Sequence, residues 1–202
     1  MSHSNERLLK PPRKASLYKK NFGFVRNRTH RYNAAYHLQF VEYCWQINRR
    51  LTRTTRSLMN RTIIMELAGL VEVVLHDVLS SLHVHGPGVE DRPLPVADYL
   101  TLEKLIEWAD YYGLVEGPLT DRLRNLNAAR NSIHFKRFHK QRVLEHGYYT
   151  HEMVQEAVQT FEVFLSGIAG KLLRIPKSKK DFIYPWTPSV EKNGFLACRE
   201  PS

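Results

Sequence analysis

The sequence predicts an all-α protein, an up-and-down bundle of about five helices, on three observations. Apolar residues recur at three- and four-residue intervals between Ala34 and Leu173. No segment sustains the period-two alternation of a sheet, and clusters of glycine and proline fall where helices would stop. The expected organisation is a basic N-terminal arm at residues 1–33, a bundle at 34–174 and an irregular tail at 175–202. A chain of 202 residues that is 43% hydrophobic and 25% charged can bury a core without disulfide or metal staples, which sets it apart from disordered compositions.

The elements follow in order. Leu38, Val41, Cys44, Trp45, Ile47 and Leu51 mark a long amphipathic helix from Ala34 to about Leu58. Asn60 is a suitable cap for a second helix, which runs through Ile64, Leu67, Val71, Val74 and Val78 to about Leu82. The stretch "HGPGVEDRPLP" ends it. A third helix spans about Thr101 to Leu114 and stops at "GLVEGP"; a fourth starts after Thr120 and Asp121 and carries Leu123 and Leu126 into "NLNAARNSIHF". The connector "KRFHKQRVLEHGYY" reads as an irregular loop or a short hairpin. Thr150 then caps a fifth helix from His151 to Leu173, and Phe182, Ile183, Tyr184 and Trp186 give the tail a means of docking on the bundle or on a partner.

Composition narrows the function classes. No run reaches the roughly 18–20 apolar residues of a membrane helix, and the N-terminus lacks the apolar core of a signal peptide, so a cytoplasmic location is expected. Cys44 and Cys198 lie far apart, without metal spacing, and read as a buried thiol and a tail thiol. His83 and His85 have no accompanying cluster of ligands. Phosphate-binding glycine loops, His-Glu-x-x-His and Gly-x-Ser-x-Gly are absent from the sequence, so no metal or cofactor is expected and ATP hydrolysis, zinc proteolysis and serine hydrolysis are disfavoured.

The formal charge is +10, and residues 1–32 hold nine cations against the single acid Glu6. Cations interleaved with Tyr18, Phe22, Phe24 and Tyr32 can contact phosphates while the rings stack on bases or pack on the protein itself. Arg13, Lys14, Lys19 and Lys20 are the candidates in this arm; Lys136, Arg137, His139 and Lys140 in the connector would extend the positive surface. RNA is the expected partner, and a solvated basic tail is the alternative.

Arg130, Asn131 and His134 carry the chemistry. Residues four apart share a helical face, so Arg130 and His134 would project together with Asn131 beside them. RNA cleavage without metal needs a base for the 2′-hydroxyl, an acid for the leaving oxygen and a cation for the phosphate. His134 suits either proton-transfer role, Arg130 the phosphate, and Asn131 can hold an imidazole or a ribose. One imidazole does not fill both roles, so a second His134 from a twofold partner, or water, would complete the site. Glu66, midway along the second helix, is a candidate to orient Arg130 or His134, with an ordinary solvated carboxylate as the alternative. The competing reading of the motif is an Arg130 ion pair and a His134 helix cap.

With a helix pair first, "LNAARNSIHF" near the end of the penultimate helix and an amphipathic helix last, residues 34–173 resemble the HEPN superfamily. Its signature is an arginine followed closely by a polar residue and then a histidine. The motif match is confined to Arg130, Asn131 and His134, whose spacing is one residue shorter than usual. The resemblance implies a four- or five-helix bundle that forms homodimers with the motifs facing each other. It also implies metal-independent endoribonuclease activity, in a toxin paired with an antitoxin or in an anti-phage defence complex. Other members are noncatalytic, which makes a nucleic-acid-binding or assembly module the second expectation.

Overall fold

A computed structural model describes residues 11–86, 89–93, 96, 100–132, 148–173 and 181–186. Its helices are α1 (Ala15–Tyr18), α2 (Arg28–Asn48), α3 (Arg53–Ser80), α4 (Leu102–Tyr111), α5 (Pro118–Asn131) and α6 (His151–Leu173), with a 3-10 turn at Lys19–Phe22 after α1. The all-α bundle expected from periodicity is the observed class. One small departure is an antiparallel hairpin of β1 (His83–Gly86) and β2 (Val89–Pro93), formed within the glycine- and proline-rich stretch that ends α3. No helix among the described residues is long and apolar enough to cross a membrane.

The central helix is α3, which packs on α2, α4, α5 and α6. Ile63, Ile64, Leu67, Ala68, Leu70, Val71, Val74, Leu75, Val78 and Leu79 are all buried, so its apolar residues surround the axis instead of forming one stripe. From α6, Val154, Phe161, Phe164, Leu165 and Ile168 face it; from α4 and α5, Leu105, Ile106, Leu123 and Leu126 do so.

Two buried polar residues fix the register of α2 on α3. At one end Asp77 accepts the backbone N–H groups of Arg26 at 2.8 Å and Asn27 at 2.9 Å, and His30 Nδ1 lies 3.3 Å from the same carboxylate. Asn27 in turn caps α2 by accepting from the N–H groups of Thr29 and His30. At the other end Asn48 Nδ2 donates to Asn60 Oδ1 and Asn60 Nδ2 to the Tyr149 carbonyl, both at 2.8 Å. Asn60 is therefore a buried side chain inside α3, not the cap that its residue type suggested; α3 begins seven residues earlier, after Thr52. Correspondingly α2 starts at Arg28 and stops at Asn48, ahead of a turn at Arg50–Thr52. Two later boundaries agree more closely, since Thr101 caps α4 and Thr150 Oγ1 accepts from Met153 N–H at the start of α6; α5 instead begins at Pro118, behind Gly117 at φ 52°, so that Thr120 and Asp121 lie inside the helix and do not start it.

The terminal segments are strapped together across this frame. Tyr18, Phe22 and Val25 are fully buried, so residues from 13 onward pack on the bundle and do not form a free arm. Asn21 exchanges two hydrogen bonds with the Ile183 backbone, donating at 2.6 Å and accepting at 2.9 Å. Tyr184 stacks on Trp186 at 5.3 Å and meets Phe161 edge-on, while Trp186 Nε1 donates to Glu162 at 2.7 Å. Part of the expected tail is thus core. Cys44 is a buried free thiol, and burial together with the Glu66 carboxylate pushes its pKa up to about 11. The connector through Gly147, the tail at 174–180 and 187–202, Cys198 and the side chains of His83 and His85 lie outside the described residues.

Burial, reinforced by Glu42 at Tyr18 and by Glu162 at Tyr184, pushes both phenols above their ordinary value of 10.0. A raised acid pKa means stability is complete below the unfolded value and declines as pH rises through the alkaline range. Urea unfolding should therefore show a loss above about pH 10 that shrinks in Tyr18→Phe/Tyr184→Phe. At neutral pH Tyr184→Ala should cost about 3–5 kcal/mol and Tyr184→Phe little, because its hydroxyl has no hydrogen-bond partner among the described residues. Equal losses in the two variants would contradict this packing.

Candidate functional site

Between α2, α3, α5 and the start of α4 lies a cleft of about 480 Å³. Its polar walls are His30, His37, Glu66, Glu72, His76 and Arg130. The α3 contribution repeats at helical spacing, Met65, Gly69, Glu72, Val73 and His76, so one face of the central helix forms the floor. At Gly69 an added Cβ would meet no atom within 4 Å; the glycine leaves the cleft open at its middle.

Arg130 lies in the last turn of α5, as expected, and reaches back to α3, where Nη1 is 2.6 Å from Glu72 Oε2. The carboxylate that holds it is therefore Glu72, about 1.7 turns beyond the candidate Glu66. Glu66 instead takes His37 of α2, with Nδ1 to Oε2 at 2.6 Å. A carboxylate only accepts, so Nδ1 carries the proton and Nε2 is left as the acceptor of the neutral ring. This is the geometry in which a carboxylate steers an imidazole for proton transfer. On the opposite flank His76 meets His30 edge-on at 6.0 Å, and His30 is tied to Asp77.

The remaining candidates separate. Asn131 is the last residue of α5, and its amide donates to Asn127 at 3.3 Å; Asn127 in turn donates to Glu103. That employs Asn131 within its own helix. Ser132 is the C-cap of α5, two positions before His134. His134, Lys136, Arg137, His139 and Lys140 lie outside the described residues.

In the N-terminal segment Arg13 is committed internally: its N–H and Nε donate to Glu42 at 2.6 and 2.9 Å. Lys19 donates to Tyr32 Oη at 2.6 Å and sits over that ring; this hydrogen bond, with help from Arg28, lowers the Tyr32 pKa. Lys14 and Lys20 are exposed and open to an outside partner. The basic run is thus divided between structural cations and surface ones.

His37, Glu72, His30 and His76 were not singled out in the sequence. The available signal was Gly69 inside a long apolar helix, since a mid-helix glycine lowers helix stability and calls for a reason at that position. Among the described residues no group of three or more His, Cys, Asp or Glu side chains is arranged to hold a metal ion. Comparison with known proteins returns no match: no family model, no curated protein and no solved structure.

The Arg130–Glu72 pair is about one-third exposed on each side, 32% and 29%, so solvent screens part of its attraction. A double-mutant cycle with Arg130→Ala and Glu72→Ala, followed by urea unfolding, should give a coupling of about 1 kcal/mol. Strict additivity would mean that the pair contributes nothing.

Proposed function

We propose that the chain is a HEPN-like, metal-independent endoribonuclease whose chemistry occupies the cleft between α2, α3 and α5. The observation that supports this most is that the Arg130 guanidinium and the carboxylate-backed imidazole of His37 line one cavity of about 480 Å³. Single-chain chemistry based on the motif alone lacked a second imidazole; His37 supplies one without a partner chain.

In the proposed reaction His37 Nε2 takes the proton of the ribose 2′-hydroxyl. The 2′-oxygen attacks phosphorus, the bond to the 5′-oxygen breaks, and that oxygen leaves with a proton delivered by His134. The products are a 2′,3′-cyclic phosphate and a 5′-hydroxyl. Arg130 carries the charge that grows on the non-bridging oxygens; held by Glu72 through one N–H, it keeps other donors for phosphate. Lys14 and Lys20, with the connector cations, would draw RNA to the surface. A homodimer, a cytoplasmic location and a toxin or defence role, with an antitoxin or defence complex as partner, are carried over from the HEPN resemblance.

One feature favours the second reading, a noncatalytic HEPN-like binding or assembly module. Glu66 and Glu72 place two carboxylates beside Arg130, the one permanent cation of the cleft among the described residues, which weakens its attraction for phosphate. Incubation with RNA in EDTA separates the readings. The nuclease reading expects cyclic-phosphate ends and a fall of at least about 10²-fold in rate for Arg130→Ala, His37→Gln and His134→Ala. RNA that is bound but uncut, or cut equally by these variants, would refute catalysis in the cleft.

A further inference from the structure

The turn between α2 and α3 carries another cavity, of about 230 Å³, whose walls are Trp45, Asn48, Arg49, Arg56 and His151. It shares no wall residue with the Arg130 cleft. No carboxylate lines it, and neither arginine has a carboxylate partner among the described residues.

Arg49 caps the C-terminus of α2 and Arg56 lies in the first turn of α3, so the short connector brings two guanidinium groups to one opening. Arg56 Nη2 donates to the Leu51 carbonyl at 3.0 Å, which steadies the side chain while using one of its five N–H donors. Trp45 is braced from behind by Trp186, 5.8 Å away, itself stacked on Tyr184.

Asn48 forms part of the wall and is held from behind it. The Tyr149 carbonyl can only accept, so Asn60 must donate to it through Nδ2 and accept through Oδ1. Asn48 must then donate through Nδ2, which leaves its Oδ1 as an acceptor. This atom is buried and has no hydrogen-bond partner among the described residues, in a side chain whose residue is only 6% exposed.

We infer that this cavity binds one nucleotide unit, with its phosphate between Arg49 and Arg56 and its base stacked on Trp45. Fork-shaped guanidinium groups match phosphate oxygens, and an indole accepts any base on its face. The volume lies below the roughly 300–1,000 Å³ of pockets for larger ligands, which limits the occupant to a single base with its phosphate at the rim. The first N–H groups of α6 contribute little, because Thr150 already accepts from Met153. A free nucleotide and one residue of an RNA strand present the same chemistry. The site does not depend on cleavage in the Arg130 cleft.

The test follows the Trp45 indole N–H by NMR, assigned through Trp45→Phe, during titration with AMP, adenosine, inorganic phosphate and a short 2′-O-methyl adenylate oligomer that cannot be cut. AMP should give a saturable shift, with adenosine and phosphate each binding at least about tenfold more weakly. Arg49→Ala/Arg56→Ala should weaken AMP at least about tenfold while melting close to wild type. Arg49→Ala alone, at an exposed helix cap, should weaken it several-fold and serves if the double variant fails to fold. An oligomer more than about tenfold tighter than AMP assigns the site to a strand; equal affinities assign it to a free nucleotide. No saturable shift with either ligand, or unchanged affinity in a folded arginine variant, would overturn the inference.

Discussion

The register of α2 against α3 is the constraint on which both cavities depend. Asp77 sets it at one end by accepting two backbone N–H groups ahead of α2, and Asn60 sets it at the other by joining Asn48 to the Tyr149 carbonyl. Hydrophobic packing favours burial of the apolar residues of α3 but is tolerant of sliding, since one aliphatic side chain replaces another at small cost. Buried polar groups are not tolerant, because each must find its partner or lose the energy of a hydrogen bond. Directional pairs at both ends therefore select one alignment from several that apolar contacts alone would accept.

That alignment brings His37 opposite Glu66 and sets Asn48 at the edge of the α2–α3 turn. The same seam has two electrostatic characters along its length. Near Arg130 the guanidinium and the His37 imidazole each meet a carboxylate, so the cleft suits positioning and proton transfer more than strong attraction of a polyanion. At the turn, Arg49 and Arg56 face a cavity with no acid among its described wall residues, which suits attraction of phosphate. Separation of these roles would let the bundle hold a strand at one place and act on it at another. The terminal strap adds stiffness, because Asn21, Tyr184 and Trp186 connect the segment before α2 to the segment after α6 and end on Trp45.

Much of the fold was legible in the sequence because helical periodicity and caps are local signals. Thr101, Thr150 and the "GLVEGP" breaker marked their boundaries well. Asn60 misled because a cap and a buried hydrogen-bonding amide are the same residue type, and only the partner from α2 distinguishes them. The break at Arg50–Thr52 was missed since no proline or glycine marks it; the amide pair and the Arg56 bond to Leu51 stabilise it instead. In the site, Arg130 was legible as a cation on the late turn of α5. Its partner Glu72 and the imidazole of His37 were not, since both depend on the alignment of α3 with other helices. Aromatic residues of the basic segment and of the tail read equally as contacts for a partner or for the bundle itself, and Tyr18, Phe22 and Tyr184 serve the core.

The central claim is that Arg130 and His37 serve one phosphodiester in one cleft. Its most direct test is an NMR titration with a 2′-O-methyl RNA oligomer, following the Arg130 Nε–H and the His37 ring together. Both signals should move in a saturable manner with one shared dissociation constant. Signals that stay still while the RNA demonstrably binds elsewhere, or that saturate at different concentrations, would contradict the account.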